Sequence, residues 1–205
     1  MKIAILASGN GSNLQALIDQ LHLDPSSGVE IVVTISDRPK AYALHRAKKA
    51  EIPTHVVQLK RFSDRNAADA KISEIIEAYE VELIVLAGYM KIFQPQFVQK
   101  YRHKVINVHP SLLPAFPGIH SVSNALAYRT KITGVTVHFV EEGIDTGPII
   151  AQVPVPVLDD DDETSLHRRL QVEEHEIYPQ VVKWFAEDLI QVDNRKVVIT
   201  PPKKR

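Results

Sequence analysis

Two residues of one short run have the types and the spacing to handle an oxyanion and a proton. Asn107 and His109 stand in Val105-Ile106-Asn107-Val108-His109, which runs into Pro110-Ser111-Leu112-Leu113-Pro114. The apolar run over residues 104–108 reads as a buried strand, and the prolines prevent its continuation as sheet or helix. Side chains two apart on an extended chain leave the same face. An amide donor and an imidazole then sit together, which suits a reaction in which negative charge develops on an oxygen while a proton moves. The same pair also fits a plain strand end, with Asn closing the turn and His filling a gap. Taken alone, the stretch leaves both readings open. A third candidate, Asp145, lies in Glu141-Glu142-Gly143-Ile144-Asp145-Thr146-Gly147-Pro148, whose glycines permit unusual backbone angles. A carboxylate near His109 favours the charged imidazolium and fixes its orientation. An Asp that bonds only its own turn is the commoner use in loops, and spacing does not distinguish the two.

The turn Ser8-Gly9-Asn10-Gly11-Ser12-Asn13 separates an apolar run from a helical pattern. Glycines let backbone N–H groups approach an anion, and a helix N-terminus adds positive partial charge. Gly9, Gly11, Ser12 and Asn13 would supply those N–H groups, with the Ser12 hydroxyl as a further donor. The Walker lysine is missing. Asp37, at the end of the next apolar run, stands where a dinucleotide's ribose-binding acid would lie, but Leu14 occupies the place of the third glycine. A terminal monophosphate fits better than a triphosphate or a dinucleotide. A tight turn with no ligand is the plain alternative.

These residues need a frame, and the hydrophobic pattern supplies one. Residues 2–7, 29–35, 54–57 and 83–87 read as strands, the last uniformly apolar as expected with helices on both faces. Helical spacing follows the first turn at Leu14, Leu17, Ile18 and Leu21 and recurs over 41–50. A longer helix carries Ile72, Ile75, Ile76 and Tyr79, with Ser63 as its expected N-cap. Short helices near 95–101 and 121–128 follow, then an alternating strand over 134–140, exposed or antiparallel. Residues 148–157 form a strand that Pro154 and Pro156 confine to an edge. A long helix over 164–186, with Trp184 and Phe185 expected in the core, precedes a small hairpin turning at Asp193-Asn194. The expected class is α/β: a single-domain, Rossmann-like, doubly wound and mostly parallel sheet, with an antiparallel C-terminal portion and a long C-terminal helix.

Composition removes several function classes. Lys+Arg 24 against Asp+Glu 25 gives no net field for nucleic acid or a membrane surface. The absence of cysteine excludes disulfides, thiolate zinc sites and a cysteine nucleophile. The apolar run after Met1-Lys2 is too short for a signal peptide or a membrane span, so the expectation is a soluble, cytoplasmic protein. Asp159-Asp160-Asp161-Asp162-Glu163 reads as an acidic loop at a helix N-terminus rather than a metal site. His138 and His175 read either as site-lining or as packed residues. His22, His45, His55, His103 and His167 lack metal-ligand spacing. Lys203-Lys204-Arg205 reads as a solvated end.

Taken together, five segments resemble the folate-dependent glycinamide ribonucleotide formyltransferases of purine biosynthesis. They are Ser8 to Gln15, Leu86-Ala87-Gly88-Tyr89-Met90, Asn107 to Pro114, Asp145-Thr146-Gly147-Pro148 and Glu174-His175-Glu176-Ile177-Tyr178-Pro179. The resemblance runs from Met1 to about Phe185, giving an expected formyltransferase domain over 1–187 and a hairpin or tail of the same domain over 188–205. The His-Pro-Ser-Leu-Leu-Pro loop is similar to that of formyl-folate enzymes generally, including methionyl-tRNA formyltransferase and formyltetrahydrofolate deformylase. The Gly-Asn-Gly-Ser-Asn turn selects the glycinamide ribonucleotide branch, and the chain lacks room for the tRNA enzyme's C-terminal or the deformylase's N-terminal domain. The resemblance implies Asn107, His109 and Asp145 as a catalytic trio, and Gly11, Ser12 and Asn13 on the substrate phosphate. It implies Glu174 on the glycinamide portion, and Arg65, Met90, Lys91, Ile92, Phe93 and Asn107 on the folate. Lys91 stands where some members carry arginine, whose planar fork a lysine cannot reproduce. Residues 119–123 also depart from the family's pattern. The implied co-substrate is 10-formyltetrahydrofolate, with no metal, no nucleic acid and no membrane, and family members include homodimers. The readings from other classes are a non-catalytic phosphate-binding module and a nicotinamide-dependent oxidoreductase, the latter opposed by Leu14.

Overall fold

Strands apolar along their whole length must be covered on both faces, and helices on crossover connections provide that cover. In the computed structural model, which describes residues 1–200, contacts divide the chain into two compact units at Asn107. The first unit holds β1 (Lys2–Leu6), β2 (Glu30–Ser36), β3 (Thr54–Val56), β4 (Leu83–Leu86) and the start of β5 (Val105–His109). These run parallel in the order β3-β2-β1-β4-β5. The order reverses beside β1, which places the turn after β1 at the topological switch point where α/β sheets bind ligands.

The helices of this unit are α1 (Ser12–Leu17), α2 (Tyr42–Lys49), α3 (Arg65–Ala78) and α4 (Pro95–Lys100). Ile3, Ile5 and Leu6 of β1 are fully buried with Leu14 and Leu17 of α1 and Ile72 and Ile76 of α3. The stripe of α1 continues through one π-helical turn, Ile18–His22, so Ile18 and Leu21 stay buried. Asp64, not Ser63, caps α3: its carboxylate accepts the Ala67 N–H at 2.8 Å. Either residue type can cap, and backbone direction decided between neighbours.

The second unit contains α5 (Ser121–Tyr128), β6 (Ile132–Phe139), β7 (Ile149–Pro156), α6 (Glu163–Ala186), β8 (Ile190–Asp193) and β9 (Lys196–Ile199). β6 and β7 are antiparallel, as are β8 and β9. The class read from the sequence is therefore present: mostly parallel α/β, with the antiparallel strands β6 and β7 followed by the long helix α6 and the β8–β9 hairpin. Of the two alternatives for the alternating strand, β6 is antiparallel and not exposed, since every residue from Thr133 to Phe139 is buried. Its polar positions, Thr133, Thr136 and His138, are inside. Trp184 and Phe185 are half-buried rather than core residues, although Phe185 meets Phe139 edge-on at 5.8 Å. The terminal hairpin turns at Asn194-Arg195, because Asp193 pairs with Lys196 across it.

The acidic run serves α6. Asp162 and Ser165 form a reciprocal capping box, and Asp161 pairs with Arg169. Among the described residues no helix is long and apolar enough to cross a membrane, and no group of three His, Cys, Asp or Glu could hold a metal ion. The basic end at 203–205 lies outside the described residues.

Candidate functional site

The turn after β1 is braced from two directions. The Ser8 N–H donates to the Gly88 carbonyl at 3.1 Å, and the Met90 N–H donates to the Ser8 hydroxyl at 2.9 Å. Gly11 has φ of 75°, and a Cβ there would lie 2.7 Å from the Ala43 Cβ. Both the backbone angle and the close approach of α2 require glycine. No side chain caps α1, whose first residues are Ser12 and Asn13.

Arg46 of α2 completes the turn. Its Nε donates to the Asn10 carbonyl at 2.9 Å, Nη2 to the Asn10 side chain at 3.0 Å and Nη1 to Gln15 at 3.0 Å. This cation beside the turn was not singled out from the sequence, because 36 residues separate it from Asn10. Its position on the turn-facing side of a short helix is the only signal that could have marked it.

A second cluster gathers on α3. Arg65 donates through Nη1 to the Ile92 carbonyl at 2.5 Å, and Asp69, one helical turn on, accepts the Gln94 N–H at 2.8 Å. Residues four apart share a helix face, so α3 grips the segment 92–94 at two points. Met90 and Ile92 remain 54% and 58% exposed, and the rings of Tyr89 and Phe93 stack at 5.5 Å. Lys91 lies 3.8 Å from the Asp37 carboxylate. Burial and the negative charges of Asp37 and Asp69 push the Tyr89 phenol well above its ordinary value, so it stays protonated. The exposed apolar side chains of Met90 and Ile92 thus lie in a segment that also carries Lys91 and is held by Arg65.

The third cluster is built on β5 and the loop after β6. Asn107 and His109 stand two apart on β5, as the alternation requires, with Asn107 half-buried and His109 5% exposed. Asp145, 36 residues further on, brings Oδ2 to 3.3 Å from His109 Nδ1. Its backbone is left-handed, with φ of 55°, and Oδ2 also accepts the Gly118 N–H at 2.8 Å. Asp145 thus reaches across to a histidine and a second loop rather than bonding its own turn.

His109 Nε2 lies 2.9 Å from the Phe116 carbonyl, which can only accept, so that nitrogen carries a proton. Nδ1 faces a carboxylate oxygen, also an acceptor when ionised. Both ring nitrogens therefore face acceptor atoms. The Ser111 hydroxyl donates to the Ala115 carbonyl at 2.5 Å, which commits it to its own loop. Glu174 is buried on α6. His138, unassigned between a site and a packing role in the sequence, lies with Nε2 3.6 Å from Asp145 Oδ1.

The model of the formyl transferase family matches residues 1–182, and the chain belongs to that family. Within it, the chain is 41% identical to phosphoribosylglycinamide formyltransferase of Escherichia coli, over 94% of this chain and 90% of that protein. It is 45% identical over 183 residues to the trifunctional purine biosynthetic protein adenosine-3 of Drosophila melanogaster, but spans only 14% of that protein's length. The crystal structure of glycinamide ribonucleotide transformylase 1 from Symbiobacterium toebii superposes with a TM-score of 0.92 at 41% identity, covering 98% of this chain and 94% of that one.

Proposed function

We infer that this chain transfers the formyl group of 10-formyltetrahydrofolate to the primary amine of glycinamide ribonucleotide, giving formylglycinamide ribonucleotide and tetrahydrofolate in purine biosynthesis. The observation that carries the reading is the His109 ring, held between Asp145 and the Phe116 carbonyl so that both nitrogens face acceptors, in a chain matched nearly end to end by formyltransferases of this type.

The folate brings the formyl carbon, which the acceptor amine attacks to form a tetrahedral oxyanion. Asn107 and the His109 imidazolium donate hydrogen bonds to that oxygen, the class of interaction that usually carries the largest catalytic term. For this the His109 Nε2–H exchanges its partner, from the Phe116 carbonyl to the oxyanion, while Asp145 keeps Nδ1–H and the ring plane fixed. His109 also stands as the acid that protonates the departing folate nitrogen, directly or through water, and the proton lost by the attacking amine returns to the ring by the same route. The N–H groups of Gly11, Ser12 and Asn13, with Arg46 close by, hold the ribose phosphate, and Glu174 meets the glycinamide portion. Met90, Ile92 and Phe93 seat the folate ring, and Arg65 and Lys91 face its carboxylate tail.

The deciding assay mixes purified protein with 10-formyltetrahydrofolate and glycinamide ribonucleotide and follows absorbance as the folate product forms. Acceptor-dependent transfer is expected. Release of formate without acceptor would favour a hydrolase, and no turnover by folded protein would favour a non-catalytic phosphate-binding module. Gly11→Ala tests the phosphate turn. The added methyl meets Ala43, so the KM for the ribonucleotide is expected to rise at least about tenfold, a loss of ~1.4 kcal/mol, while that for the folate changes little. Equal effects on both would place the turn outside the phosphate site.

A further inference from the structure

Asp145 has an imidazole on each side. Oδ2 faces His109, and Oδ1 lies 3.6 Å from Nε2 of His138, a β6 residue only 2% exposed. His138 Nδ1 lies 2.8 Å from the Phe139 carbonyl. A carbonyl cannot donate, so Nδ1 carries the proton and the neutral ring turns the lone pair of Nε2 toward Asp145. Burial pushes His138 below the usual imidazole value, against the pull of the Phe139 carbonyl and Asp145, which favours that neutral form.

Two acceptors 3.6 Å apart are not hydrogen-bonded, but a proton on either one joins them. The sheet itself aims the ring. The register of β6 against β7 shifts between Val137 and His138, and such irregularities redirect side chains beside functional sites.

We infer that His138 is a positioning residue for formyl transfer, fixing the Asp145 carboxylate with Oδ2 toward His109 by occupying the space beside Oδ1. The inference rests on the formyl-transfer reading and on the Asp145–His109 pair within it. His138 acts through Asp145 and touches no reacting atom. The Nδ1 bond to Phe139 serves a structural role, and the positioning role needs the far nitrogen.

Two substitutions separate these roles. In His138→Asn the amide nitrogen overlays Nδ1 and keeps the Phe139 bond but stops short of Asp145. In His138→Gln the amide reaches the place of Nε2 and can donate to a carboxylate or accept from a carboxylic acid. The expected result is a kcat about 10- to 100-fold lower for His138→Asn with both KM values little changed, and recovery to within about threefold of wild type for His138→Gln. In an Asp145→Ala background, His138→Asn should cost nothing further. Wild-type kcat in His138→Asn, or additive losses in the double variant, would overturn the inference while leaving the transfer reading intact. A wild-type protein without transfer activity would instead remove the reading on which it rests.

Should His138→Asn not fold, the ring resonances of His138 give an answer by NMR titration. The charged groups acting on the ring are Asp145, which raises its midpoint, and His109, which lowers it. Replacing the carboxylate in Asp145→Asn must lower the midpoint, and an unmoved midpoint overturns the inference.

Discussion

His109→Ala is expected to lower kcat and kcat/KM together by about 100-fold or more, with the fold retained. The parallel fall follows from the role proposed for the ring. Its Nε2–H bonds the Phe116 carbonyl before reaction and the oxyanion only as charge develops, so its removal weakens the transition state and leaves substrate affinity nearly alone. Retention of the fold follows from the loop's other ties. Asp145 still accepts the Gly118 N–H at 2.8 Å, and the Leu113 N–H still donates to the Thr136 hydroxyl at 3.1 Å. Steady-state kinetics with each substrate varied in turn, alongside a thermal melt, makes the check. A folded variant turning over within a few-fold of wild type would remove His109 from the chemistry. Asn107→Ala should fall by a similar factor, since its amide is proposed as the second donor to the same oxyanion.

The largest effect on stability is expected at Gly147. A Cβ built there lies 1.8 Å from the Phe139 carbonyl oxygen and 2.7 Å from its carbon. No rotamer relieves a contact between Cβ and backbone, so the loop or the end of β6 must move. Both are tied: the Phe139 N–H donates to the Pro148 carbonyl at 2.9 Å, and the Phe139 carbonyl accepts from His138. Gly147→Ala should therefore cost about 3 kcal/mol or more in a urea titration, or fail to accumulate as folded protein. Gly9→Ala is the control. Nothing lies within 4 Å of a Cβ there, and its φ is not in the left-handed range, so it should stay within about 0.5 kcal/mol of wild type. A Gly147→Ala protein as stable as that control would contradict the packing described for the loop.

Both predictions depend on contacts between residues distant in the chain, and there the sequence and the tertiary structure divide their contributions. Strands, helices and turns were legible because their signals are local: the apolar runs of β1 and β4, the spacing of Leu14, Leu17, Ile18 and Leu21, and the prolines around the His109 loop. Capping needs only a few residues, yet the choice between Ser63 and Asp64 already turned on backbone direction. The alternation in β6 identified a strand but not its surroundings, since Thr136 and His138 are polar and buried and do not mark a solvated face.

The candidate residues were legible by type. Asn107 and His109 share a face because a strand repeats every two residues, and Gly11 marks a turn because only glycine tolerates both its angle and its neighbour. Their partners were not. Side-chain preference acts over a few positions, whereas the 3.3 Å between His109 and Asp145 is set by a left-handed residue in a loop 36 positions away. Arg46 at the turn, the grip of Arg65 and Asp69 on residues 92–94, and His138 behind Asp145 arise in the same way. The sequence by itself determined which groups are available and which local geometry each could adopt. Only the tertiary structure decided which of them meet, because meeting is a property of packing and register, and these are settled by the whole unit at once.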